Sequence, residues 1–191
     1  MSGHDTPENE ALPIEAAQLL DFWHEAGPGR WFKKDAQFDD AFRSRFLAEH
    51  EAAARGERDA WAATAPGALA LLLLLDQFPR NAFRGSDRMF ATDTKALALA
   101  EEALARGFDA ATSAGLRNFF YLPFMHSESL AHQERAVALT RPLDDPEAHR
   151  FAILHRDIIA RFGRFPHRNA VLGRQSTSEE KRYLAEGGFA G

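Results

Sequence analysis

ALALLLLLDQFPRNAFRG, residues 68–85, carries the heaviest apolar load in the chain. Its first eight residues are apolar on every helical face, which marks a central helix covered by its neighbours. Leu69, Leu72, Leu73 and Asp76 share one face at helical spacing, so the aspartate is expected at the edge of the core. Pro79 lacks an N–H and disfavours helix in the residue before it, so the helix is expected to end at Phe78-Pro79. The apolar run from Ala68 to Leu75 is far shorter than the roughly 20 residues of a membrane span.

Outward from this stretch, the pattern stays helical. Pro13 suits the first turn of a helix reaching about Glu25 that buries Leu19, Leu20 and Trp23, and Gly27-Pro28-Gly29 ends it. Phe38, Phe42 and Phe46 recur every fourth residue in a helix that starts near Asp35 and stops at Gly56. Thr92 or Asp93 is expected to cap an alanine-rich helix closed by Gly107, and Ser113 and Ser127 are expected to cap the next two. Asp145-Pro146-Glu147 combines a cap, a first-turn proline and an early acid. Ser176 to Glu179 fits a capping box before the last helix, which Gly187-Gly188 ends. No segment alternates like a strand, and no fixed 34-residue consensus is present. The expectation is an all-α fold of about eight helices, with residues 12–191 as one domain behind a tail at 1–11.

Composition excludes several functions. The net charge of -5 argues against general nucleic-acid binding, which needs a basic face. The absence of cysteine removes disulfides, thiolate chemistry and cysteine-ligated metals. No P-loop, dinucleotide fingerprint or nucleophile elbow occurs, and no cofactor is expected. MSGHDTPENE lacks the basic-then-apolar order of a signal peptide, so the protein is expected to be cytoplasmic, without a membrane partner.

The central stretch ends in FPRNAFRG (78–85), and FPHRNAVLG (165–173) echoes it 88 positions later. Two readings fit Arg80, Asn81, Arg168 and Asn169. They cap helix C-termini, where carbonyls lack partners, or the two corners meet and their arginines hold an anion. Upstream of the second corner, His155 lies on a face with Phe151, Leu154, Ile158, Ile159 and Phe162, so a satisfied core histidine competes with a catalytic one. Asp157 and Arg161 are spaced for a helix ion pair. His126, Glu128, His132 and His155 contain no HExxH-type spacing, and no metal is expected.

LDFWHEAGPGRWFKKD (20–35), ALALLLLLDQFPRNAFRG (68–85), FFYLPFMHSESLAHQERAV (119–137) and HRDIIARFGRFPHRNAVLG (155–173) together resemble domain-of-unknown-function family 924. The resemblance implies a right-handed, tetratricopeptide-like helical arrangement and no particular activity. Its signature segments fall on Asp76, Gln77, Arg80 and Asn81, on His126, Ser127 and Glu128, and on His155, Arg161, Arg164, His167, Arg168 and Asn169. The leading expectation is a binding protein for a small anionic ligand or acidic peptide end. Gln77, Arg80, Asn81, Arg161, Arg164, His167, Arg168 and Asn169 would line its pocket. One alternative is a hydrolase-type enzyme using His126 or His155 with Glu128 or Asp76, by acid–base chemistry. Another is a protein–protein scaffold. Ligand, oligomeric state and enzymatic status stay open at this level.

Overall fold

A computed structural model describes residues 12–191; the tail expected at 1–11 lies outside them. The described residues are helical with no strand. In order the helices are α1 (Ile14–Ala26), α2 (Pro28–Trp31), α3 (Ala36–Ala54), α4 (Ala65–Leu72), α5 (Phe78–Ala82), α6 (Asp93–Ala105), α7 (Phe108–Ala111), α8 (Ala114–Arg117), α9 (Leu122–His126), α10 (Leu130–Thr140), α11 (Pro146–Phe162) and α12 (Ser178–Ala185). Seven of these run eight residues or more, and single turns make up the rest. That is why spacing alone suggested a smaller number. No helix among the described residues is long and apolar enough to cross a membrane.

The apolar run does become the centre of the molecule. Every residue from Gly67 to Pro79 is buried, and α1, α3, α6 and the turn Asn118–Phe120 pack around it. The four-residue spacing in α3 places Phe38, Phe42 and Phe46 on one buried stripe, where Phe22 stacks on Phe38 and Phe42 and Trp23 packs at a tilt against Phe42. Such aromatic pairs add roughly 0.5–1.5 kcal/mol each beyond their area burial. A second, smaller core of Ile158, Ile159 and Phe165 is closed by Leu154, Phe162, Tyr183 and Phe189. Phe151, expected on this face, is 38% exposed instead. Its neighbour α10 covers the other side of α11, anchored at its start by the Asp145 side chain accepting from Ala148 N–H.

The helix does not stop at Phe78-Pro79. It widens into a π-helical turn over Leu73–Gln77 and continues as α5. Pro79 gives no N–H to the Leu75 carbonyl, and its ring crowds that oxygen, so the local solution is a wider turn in which Phe78 N–H reaches back to Leu73. Side chains then satisfy the displaced carbonyls. His50 Nδ1 donates to Leu74 O at 2.9 Å, Thr92 Oγ1 to Leu75 O at 2.5 Å, and an Arg80 N–H to Asp76 O at 2.6 Å. The second corner has a different backbone. Gly163 ends α11 in the left-handed region (φ 69°), and Pro166–Arg168 forms a separate 3-10 turn. Several expected caps are also replaced. Ser113 makes no capping bond, Thr92 serves Leu75 rather than α6, and Ser127 accepts from Ser129 N–H just before α10. The box that does form pairs Thr177 with Glu180.

Candidate functional site

The π turn directs Asp76 inward, leaving it 1% exposed, deeper than the core edge expected for it. Three donors surround its carboxylate: Gln77 Nε2 at 2.6 Å, His126 Nδ1 at 2.7 Å and Arg80 at 3.3 Å. Burial alone would raise its pKa. Arg80, His126 and Gln77 outweigh burial and hold the carboxyl well below its ordinary range. Burial, followed by Arg80, pushes His126 down, so the neutral ring donates through Nδ1 and keeps its Nε2 lone pair. Gln133 fixes the end of α9 that carries this ring, donating to the carbonyls of Phe124, Met125 and Ser127.

Arg80 spans two acids. Its fork binds both oxygens of Asp93, at 2.9 and 3.0 Å, at the start of α6. Arg168, from the second corner, approaches the same carboxylate at 3.7 Å. The two echoing corners therefore meet at Asp93. Their arginines are not equally satisfied. Arg168 is 7% exposed, lies over the rings of Phe90 (4.6 Å) and Phe165 (4.4 Å), and makes no side-chain hydrogen bond among the described residues. Burial, then Arg80, lowers its pKa to about 10, which still leaves it charged at neutral pH. His155 faces this group from α11. Its Nδ1 donates to Phe151 O at 2.7 Å, and burial, aided by the charges of Arg168 and Arg80, lowers its pKa to about 4.

A second ion pair closes the flank. Glu128 accepts from both terminal nitrogens of Arg174 (2.7 and 2.9 Å) and from Phe165 N–H (2.8 Å), pinning the second corner to the segment after α9. Arg174 also donates to Asn169, whose amide reaches Ser176. The other candidates diverge. Asn81 and Arg84 turn to Asp39, Arg164 to Glu180, and Arg161 to Glu179 rather than to Asp157, which pairs with Arg156. Gln77 is spent on Asp76, and His167 packs against Phe165 and Phe189. Burial lowers His167 to about 4 as well. His132 is tied to Ser127, and no group of three metal-ligating side chains gathers among the described residues. Two open hollows, of about 340 and 260 Å³, lie at Leu20, His24 and Leu116 and at Phe22, Arg30 and Arg45, and neither includes these groups. Access to the cluster is at its rim, where His126 and Arg80 side chains are each 15% exposed.

Fold and site together define an all-helical protein in which a buried acid–histidine pair and two arginines from distant corners share one polar cluster. The chain belongs to the family described as bacterial protein of unknown function (DUF924), which matches residues 19–188. It is also similar to a solved protein of unknown function from Agrobacterium tumefaciens, with 55% identity, a TM-score of 0.88, and coverage of 90% of this chain and 97% of that one. No curated protein matches the chain.

Proposed function

We propose that this protein binds a small anionic ligand, a free oxyanion or a carboxylate end, at Arg168 with Arg80 beside it. Arg168 supports this reading. A buried guanidinium ordinarily has its donors satisfied, and an unmade hydrogen bond to a buried charged group costs more than about 1–3 kcal/mol. Two phenyl rings lie against its guanidinium and its buried Nε has no partner among the described residues, which leaves the fork available for bidentate recognition of carboxylate or phosphate. Within a tetratricopeptide-like array, the ligand could equally be the end of an acidic peptide, and a cytoplasmic setting fits either.

Titration calorimetry with sulfate, inorganic phosphate and acetate tests this, alongside Arg168→Lys, which keeps the charge and loses the fork. Saturable binding that weakens at least tenfold in the variant is the expected result. No binding by the folded wild-type protein, or equal binding by a folded Arg168→Lys, refutes it.

One observation favours a second reading, an acid–base enzyme. Asp76 orients His126 at 2.7 Å and leaves Nε2 free at the rim. Hydrolysis of p-nitrophenyl esters or phosphates that is abolished in His126→Gln would support it. Equal rates in the two proteins would remove it.

A further inference from the structure

We infer that an anion at Arg168 enters together with a proton, and that His126 is the group that takes it. This rests on the binding reading above and adds a coupling to it. The argument begins with charge. Arg80 and Arg168 are matched by Asp76 and Asp93, and Arg174 is matched by Glu128. With its histidines neutral the cluster already balances, so an added anion leaves uncompensated negative charge beside Asp76, which is buried, and among Arg80, Asp93 and Glu128, which are half-buried. Such charge is costly away from water unless a proton accompanies it.

Three histidines are near enough to accept that proton, and their surroundings differ. His155 gives its Nδ1 to the Phe151 carbonyl and packs edge-on against Phe165 and Phe189. His167 also lies between Phe165 and Phe189, and its buried Nδ1 has no partner among the described residues. Only His126 has a carboxylate directly behind it. Protonation at its free Nε2 would leave the Nδ1–H···Asp76 bond in place and convert it into a charge-assisted one. What disfavours the imidazolium now is burial first and Arg80 second, and an anion beside Arg80 cancels the second.

The groups around His126 come from each element packed on α9. Asp76 and Arg80 come from the π turn and α5, Asp93 from α6, and His155 from α11. On α10, His132 is bound to Ser127, and Arg135 lies over Phe124 and pairs with Glu101 of α6; neither bonds to the His126 ring. The turn Asn118–Phe120 contributes no titratable side chain. Proton and anion therefore favour each other's binding, and by linkage the effect is reciprocal.

Sulfate is the probe, because it does not itself titrate near neutrality. Calorimetry near pH 7 in buffers of different ionisation enthalpy should show uptake approaching one proton per sulfate. Affinity should weaken toward tenfold per pH unit as pH rises. His155→Gln should retain the uptake and His126→Gln should lose it while still binding sulfate. Should His126→Gln fail to fold, histidine-labelled wild-type protein supplies the readout: sulfate should move one ring, bonded through Nδ1 to a carboxylate, to the imidazolium shift. Sulfate binding with buffer-independent heat, uptake that persists in a folded His126→Gln, or unchanged histidine shifts would overturn the coupling and leave the binding site standing. No sulfate binding at any pH would overturn both.

Discussion

Replacing His155 with glutamine should flatten the acid dependence of stability by an amount the structure sets. The ring is 9% exposed and packed against Phe165 and Phe189, and its pKa falls from 6.5 to about 4, chiefly through burial. The folded state therefore resists a proton that the unfolded chain accepts. Stability from this group is complete above pH 6.5 and is lost as pH falls toward 4. Between about pH 7.5 and about pH 4.5, the linkage integral amounts to about 2.5 kcal/mol. Glutamine does not titrate, and its amide can still donate to the Phe151 carbonyl, so the variant lacks that loss. Urea unfolding of both proteins at the two pH values measures the difference, and the contributions of unaltered groups largely cancel. Wild type should lose about 2.5 kcal/mol more than the variant over this interval. Parallel losses would refute the claim that His155 is held neutral by burial.

Two further outcomes follow from the central helix. Asp76→Asn removes the charge that answers Arg80, His126 and Gln77, and should cost about 3 kcal/mol, the low end for breaking a buried pair because Arg80 keeps Asp93. That corresponds to roughly 6–12 °C in thermal unfolding for a chain of this size, and the deficit should shrink as pH falls below 3.8, where the unfolded chain's carboxylate takes up a proton that the native one resists. Gly67→Ala would place a Cβ 2.0 Å from the Trp61 carbonyl oxygen at the start of α4, and should destabilise by about 3 kcal/mol or more in a urea melt. A variant as stable as wild type would mean that the turn Asp59–Ala63 yields more readily than its packing indicates.

The helical core was readable because its information is local. An all-round apolar run and a four-residue aromatic repeat each state their own burial, and α4 and α3 bear them out. Proline at 79 misled for an equally local reason: it does remove an N–H, yet His50 and Thr92, distant in sequence, supply the missing donors and let the helix pass through. The site residues were legible as types and not as partners. Asp76 and His126 are 50 residues apart, and Glu128 and Arg174 are 46 apart, so no spacing rule links them. Thr92 or Asp93 is expected as a helix cap, and nothing at position 93 signals the meeting point of both corners. Arg174, Phe90 and Gln133 carry no motif or spacing in the sequence that marks them. The echo between the two corners was a useful pointer, although their backbones differ: one lies within a continuous helix and the other follows a left-handed glycine.

The junction at Asp93 also sets an order of events at the ribosome. Arg168 follows Asp93 by 75 residues. At roughly 5–20 residues per second, it is synthesised on the order of 4 to 15 s later. During that interval the nascent chain can bury its leucine run and engage Arg80, but the second corner does not yet exist. Closure of the junction is thus withheld until residue 168 has been made, and products truncated before it would carry the leucine core with Asp93 held by Arg80 alone.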